Sequence, residues 1–448
     1  MAKSFPIPAL ALVACWAAFP AAAQDTAALL SRLQAMEDRI KSLEAEVQDL
    51  KSQQAATTAA LTAATPPPGP SAPAAQPSSA AAAPPPAGSQ AAAQPPPALG
   101  GAGPAAAKVL NPDIAAIGDF LGAAGNPAGR PTSALQMHES ELAFQAILDP
   151  YARADFFLSF GEHGVDLEEG FLTFPALPGH FELRAGKMRA AFGKVNTLHN
   201  HVLPWVDRPL VTQNLVGGED GIDDAGLALS RIFAGPKDIF FEGTAQLFRG
   251  DSFNLFQSYH RSDLSTVDHL RAYRDISEST NLDLGVSYSR GHSVWSPAAI
   301  DQIYGVDATL RWKPLRRAIY HSFVGRTEIV WNRLEVPGRT YLPFGYYVSG
   351  DYQFARRWFL GGRFDRSERL GNWYTVDGDF FGLPAFANLT SLPQFQDTGG
   401  SLVLTYWPSE FSQIRGQLRR TDYGDNRTAN EFLFQFQFSI GAHGAHPF

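Results

Sequence analysis

His199-Asn200-His201 sets two imidazoles two positions apart, and Asp207 and Glu219 follow in the same stretch. Two imidazoles with a carboxylate suit zinc, which takes nitrogen and oxygen donors in a tetrahedron. The motif is short, and a solvated loop carries such histidines equally well. Positions 191–221 also hold Lys194, Arg208 and Asp220. Opposed charges sort solutes by size and sign when they line a narrow water path. The competing reading is a surface loop packed on a neighbour. Arg184, Arg311, Arg326, Arg363, Arg415 and Arg419 fall on polar faces of alternating segments, beside Glu182, Asp283, Asp307, Glu328, Asp351 and Asp365. Arg415 and Arg419, with Arg420, read either as a basic ladder or as structural arginines paired with carboxylates across strands. His443 and His446 near the C-terminus are a weaker metal pair. No nucleophile motif with a paired base is present, so the chain reads as a non-enzyme needing no cofactor.

Strands must position these groups. Residues 432–440 read Phe-Leu-Phe-Gln-Phe-Gln-Phe-Ser-Ile. Side chains alternate sides with period 2, which puts Phe432, Phe434, Phe436, Phe438 and Ile440 on one face and Gln435, Gln437 and Ser439 on the other. Such a strand fits a soluble sandwich, or a membrane barrel with lipid outside and water inside. The same alternation recurs along residues 108–448, near 111–121, 135–148, 151–160, 166–175, 180–190, 222–233, 238–249, 267–276, 280–290, 302–312, 318–332, 344–354, 357–367, 398–407, 410–420 and 429–441. That makes about sixteen strands, with no comparable helical periodicity. Every second connection is brief, as at 149–150, 176–179, 277–279, 355–356 and 408–409, while 191–221, 250–266 and 368–397 are long. Short turns on one side and longer loops on the other are the pattern of a transmembrane antiparallel β-barrel. Tyr151, Trp312, Trp358, Tyr406 and Trp407 beside the short turns suit an interfacial aromatic girdle.

Three segments precede the barrel. Residues 1–23 carry Lys3, an apolar core and Ala21-Ala22-Ala23, the pattern of a secretory signal. Leu12-Val13-Ala14-Cys15 offers a rival reading, a lipoprotein box with a lipidated cysteine. Residues 24–54 space Leu29, Leu33, Met36, Ile40, Leu43, Val47 and Leu50 by fours and threes, as coiled-coil a and d positions require. The facing pairs Arg32–Glu37, Arg39–Glu44 and Glu46–Lys51 are of opposite sign, so a homo-oligomer is expected. Ile40 and Val47 at a, with Leu43 and Leu50 at d, favour a dimer. Residues 55–107, rich in Ala and Pro, form an extended disordered linker. Residues 24–107 would then lie in the periplasm, where they could reach the cell wall. The net charge is −8, one unit more negative without Lys3, which argues against a nucleic-acid partner. Beyond the extreme N-terminus no apolar run is long enough for a membrane helix.

Residues 184–227 contain Arg-Ala-Gly-Lys-Met-Arg-Ala-Ala-Phe-Gly-Lys, then Leu-Pro-Trp-Val-Asp-Arg-Pro-Leu, then Gly-Ile-Asp-Asp-Ala-Gly-Leu. This segment resembles the phosphate-selective porin O/P family. The resemblance rests on Gly186-Lys187, Phe192-Gly193, Asp207-Arg208, Gly221 and Gly226, and covers the rest of the body loosely. It implies a sixteen-stranded outer-membrane porin, usually a trimer, that passes small solutes or ions. In trimeric porins the third loop folds inward and narrows the pore, and 191–221 is the third loop here. Phosphate-specific members line the pore with Arg and Lys, whereas this chain mixes those with carboxylates. The other functional readings are a receptor for a metal ion or metal complex and an envelope tether.

Overall fold

The computed structural model describes residues 112–126, 133–161, 164–252, 255–336, 338–370 and 393–441, with position 41 alone before them. The signal segment, coiled coil, linker, His443 and His446 lie outside the described residues.

Alternating sequence becomes alternating burial because each strand has water on one face and lipid on the other. The strands are β1 (Asp113–Asn126), β2 (Leu135–Asp149), β3 (Ala152–Gly161), β4 (Gly164–Leu177), β5 (Phe181–Arg189), β6 (Asp223–Ala234), β7 (Phe240–Phe248), β8 (Ser265–Ser277) and β9 (Thr280–Ser293). Then follow β10 (Ser296–Trp312), β11 (Ser322–Val336), β12 (Arg339–Tyr341), β13 (Phe344–Ala355), β14 (Trp358–Leu370), β15 (Gln394–Ser409), β16 (Ser412–Tyr423) and β17 (Arg427–Gly441). Each pairs antiparallel with the next except β12, which pairs with β11; β11 pairs with β13, and β1 pairs with β17 over Ala115–Gly441 to Asn126–Asn430. The result is a closed barrel of sixteen strands, with three-residue β12 outside the count as a hairpin on β11. Closure removes both sheet edges.

All sixteen predicted strands are present, several of them longer than alternation alone indicated: β10 begins at Ser296 and β15 at Gln394. Phe156, Leu247, Val286, Val348, Leu402 and Phe436 point outward and are exposed, while Asp283, Glu328, Arg363, Gln417 and Gln435 are buried inside. On β17, Phe432, Phe436, Phe438 and Ile440 face out, and Gln435 and Gln437 face in. Apolar outside and polar inside is the reverse of a soluble barrel and the pattern of a membrane one. Near one rim the rings of Trp358 and Tyr406 stack with centroids 4.4 Å apart.

Two bulges matter for the interior. The β1–β2 register skips His138, passing from Asp119–Glu139 to Phe120–Met137. The β3–β4 register skips Glu168, passing from Phe157–Glu169 to Leu158–Leu167. A bulge re-aims its extra residue. Here each lets two consecutive polar side chains, His138-Glu139 and Glu168-Glu169, reach the lumen.

Candidate functional site

The connection from β5 to β6 turns into the barrel. Its two feet are tied by Ala190 N–H to the Ile222 carbonyl, 2.8 Å. The Asn196 amide sits between them, donating to the carbonyls of Ala190 (2.9 Å) and Ile222 (3.1 Å) and accepting from Ile222 N–H (2.8 Å). Gly221 has φ +68° and a Cβ there would strike the Asn196 oxygen, so only glycine closes this foot. Between the feet, Phe192, Val195, Leu203, Trp205, Val211 and Leu215 pack on inward-facing Ile303, Val330, Tyr347 and Val403. An apolar core thus lies inside the polar lumen. Burial of each large side chain is worth about 1.5–3 kcal/mol, enough in sum to hold the loop in place.

Wall carboxylates and amides satisfy the loop backbone. Glu328 of β11 accepts from the N–H groups of Lys194 (2.9 Å) and Val195 (2.7 Å), and Ser287 of β9 accepts from Gly193 N–H (2.9 Å). The helix α1 (Leu210–Leu215) is tied at both ends: Leu210 N–H donates to Asp365 (3.2 Å), and Asn332 donates to the Leu215 carbonyl (2.8 Å). Helix ends inside a protein need such partners. Lys194 reaches buried Asp283 at 2.8 Å, which also holds Arg271 at 2.7 Å and Arg311 at 3.7 Å. Arg208 donates within the loop, to Asn200 and to the carbonyls of Val195 and Leu198. Its burial, with Arg189 nearby, brings the guanidinium down to about 10.

On the β14–β16 wall the loop offers Asp207. Its carboxylate meets Arg363 at 2.9 Å and Arg419 at 2.8 Å, and accepts from Gln417. Burial would raise this pKa, but the two guanidiniums prevail and hold it at about 2. Arg363 also pairs with Asp365 at 2.7 Å and lies over the Trp205 ring. Arg415 holds Gln435, Gln413 and the Trp205 carbonyl, and Arg419 also pairs with Glu431.

On the β2–β4 wall the loop offers His199. Its Nδ1 lies 2.7 Å from Glu141 and 2.8 Å from Glu168, and its Nε2 lies 2.8 Å from Glu169. Burial opposes a charge here, but hydrogen bonds to Glu141, Glu168 and Glu169 outweigh it and hold the imidazole well above its usual pKa. His201 Nδ1 stands 3.6 Å from the same Glu141 oxygen. Glu139 adds a further buried carboxylate, and its Oε2 accepts a 3.3 Å bond from Asn200. A cavity of about 740 Å³ lies beside this cluster, bounded by Asp119, Glu139, Glu168, Arg189, Glu219 and Arg419 among others.

Of the charged residues singled out in the sequence, Lys194, Asp207, Arg208, Arg363, Arg415 and Arg419 gather at the loop or its seat. Arg326 pairs with Asp351 further along the wall, and Arg184, about half exposed, pairs with Glu182. Arg420 leaves the proposed ladder, lying exposed beside Asp422. The carboxylates expected beside the two histidines were Asp207 and Glu219, and both are elsewhere. Asp207 lies between two arginines, and Glu219 pairs with His138 at 2.8 Å and accepts from Asn200. Glu139, Glu141, Glu168 and Glu169 stand there instead. Strict alternation sends one of the adjacent Glu168 and Glu169 to the lipid side, and only the bulge admits both; Glu139 and Glu141 share a face by alternation, but Glu141 lies 58 residues from His199 in the chain. Asn196 and Glu328 were also missed as loop anchors. The paired glycines at 193 and 221 were a signal that tight feet need a bridging side chain.

No family model matches the chain. A relative from Aquifex aeolicus (strain VF5), known only as an uncharacterized protein, is 28% identical over 352 residues, 70% of each chain. Among solved structures, OprB of Pseudomonas putida superposes with a TM-score of 0.50 at 11% identity, covering 75% of this chain and 95% of that one. The outer membrane channel DcaP of Acinetobacter baumannii gives a TM-score of 0.45 at 12% identity, covering 74% and 96%. An OmpT loop-deletion mutant from Vibrio cholerae gives 0.49 at 9% identity, covering 74% and 99%. At 11% identity the likeness to OprB is one of fold alone, that of a β-barrel.

Proposed function

We propose that the protein is an outer-membrane channel for small hydrophilic solutes or ions, narrowed by 191–221. One observation carries this reading: the loop crosses the lumen from β5 to the opposite wall and is bonded to both sides. A loop so held leaves water a path beside it, along the cavity bounded by Asp119, Glu139, Glu168 and Glu219. Carboxylates outnumber free cations along that path, while the arginines of the opposite wall are tied to Asp207, Asp365 and Glu431. The channel therefore prefers cations, and the phosphate selectivity of the resembled family finds no support in this lumen. The chain would work as a homo-oligomer in the outer membrane, a trimer by analogy with porins, with 24–54 as its coiled coil and 55–107 as its spacer on the periplasmic side.

Purified protein in a planar bilayer tests this. Discrete conductance steps, with a reversal potential of cationic sign in a salt gradient, are expected. Silence in the bilayer refutes the channel, and an anionic reversal potential refutes its selectivity.

A further inference from the structure

We propose that Glu141, His199 and His201, with Glu168 as a fourth donor, form a divalent transition-metal site that fastens the loop to the barrel wall. One ligand atom from each of Glu141, His199 and His201 lies within 4.8 Å of the other two, and all three residues are buried. Donors about 2.0–2.2 Å from zinc stand about 3.3 Å apart in a tetrahedron, so small rotations of these side chains close the cage. Oxygen and imidazole donors together suit zinc and its neighbours better than calcium or magnesium.

Three features separate this site from a mere acidic cluster. First, His199 is oriented as a ligand: Glu169 accepts from Nε2 at 2.8 Å, which leaves Nδ1 aimed at Glu141 and Glu168. A carboxylate behind a ligating imidazole fixes its tautomer and raises its basicity. Second, Glu139 is 4% exposed, its Oε1 finds no hydrogen-bond partner, and its ligand atom lies within 4.8 Å of those of Glu141 and Glu168. Three buried carboxyl groups that close cannot all stay ionised alone: they share a proton or take a cation, and a metal can displace the proton. Third, one guanidinium, Arg189, pairs with Glu168 at 3.7 Å, and a single guanidinium does not offset the four carboxylates of Glu139, Glu141, Glu168 and Glu169. The 2.7 and 2.8 Å contacts of His199 Nδ1 with Glu141 and Glu168 are hydrogen-bond lengths, so a proton there would hold the place of the metal. Metal entry releases that proton and leaves Glu169 holding the other nitrogen. The β3–β4 bulge makes the site, since without it Glu168 and Glu169 could not both face inward.

The site stands apart from conduction, and so does its test. Tag-free full-length protein in detergent is stripped with chelator and dialysed against zinc. About one equivalent should bind per chain with His and carboxylate donors only. His201→Ala should abolish it, while heat-modifiable migration shows the barrel still folded. Glu169→Gln, which keeps the size and a hydrogen bond, should weaken zinc about 10- to 100-fold. It serves as the readout if His201→Ala does not fold. Zinc bound equally by wild type and both variants, or by none of them, overturns the proposal.

Discussion

Two of the loop's fastenings to the barrel are built on opposite plans. At Asp207 one carboxylate lies between two guanidiniums, Arg363 and Arg419, on the β14–β16 wall. At His199 one imidazole lies among Glu141, Glu168 and Glu169 on the β2–β4 wall. The first anchor is closed, because each guanidinium has two carboxylate partners and the hydrogen bonds of Asp207 are made. The second holds negative charge to spare. A buried group with matched partners is a structural tie, and removing one member exposes the others. A buried group with surplus carboxylates has capacity for a cation. The difference also sets an acidic wall against a wall whose arginines are paired.

The contrast breaks most visibly at the closed anchor. Asp207→Ala leaves Arg363 and Arg419 without their shared carboxylate, at a cost of about 3–5 kcal/mol. Thermal unfolding in detergent should show a fall in Tm, and the channel should become noisier as the loop swings. His199→Ala, by contrast, removes a cation from an acidic site and should cost less.

Acid gives the next largest effect. Asp207 has its pKa lowered to about 2, so its contribution is full above the ordinary carboxylate range and disappears as pH falls through about 2. The anchor should hold at pH 4 and release on further acidification, on the order of 2 kcal/mol in all. Fluorescence of Trp205, which lies under Arg363, reports it against an Asp207→Asn reference. A transition at pH 5 or above would contradict the assignment.

Gly193→Ala disturbs the near foot without touching either anchor. Gly193 has φ +58°, and a Cβ there meets Glu328 Oε2 at 2.6 Å. The left-handed backbone costs a non-glycine residue about 1–2 kcal/mol, and the contact adds to that. A lower Tm with unchanged zinc binding is expected. Smallest of all is Arg420→Ala, where an exposed guanidinium beside Asp422 is lost; no measurable change in Tm should follow.

The two anchors also differ in how far the sequence revealed them. Strands were legible because a membrane barrel imposes period 2 on every one of them, and Phe432 to Ile440 shows it plainly. Asp207 and its arginines were legible as lumen residues, since Arg363, Arg415 and Arg419 each fall on the polar side of their strands. Their pairing was not, because a partner more than 150 residues away in the chain leaves no local pattern. The histidines were found as a motif, yet with the wrong carboxylates. Glu168 and Glu169 come from a strand whose bulge breaks the alternation used to read it, while Glu141, which alternation places beside Glu139, lies 58 residues from His199 in the chain.

The central claim is that 191–221 lies inside the barrel and sets its width. Replacing residues 195–216 by a short Gly-Ser linker, with both feet retained, tests it most directly in single-channel recordings. A several-fold rise in conductance and a weaker preference for one sign of ion are expected. Conductance and selectivity equal to those of the wild type would contradict it.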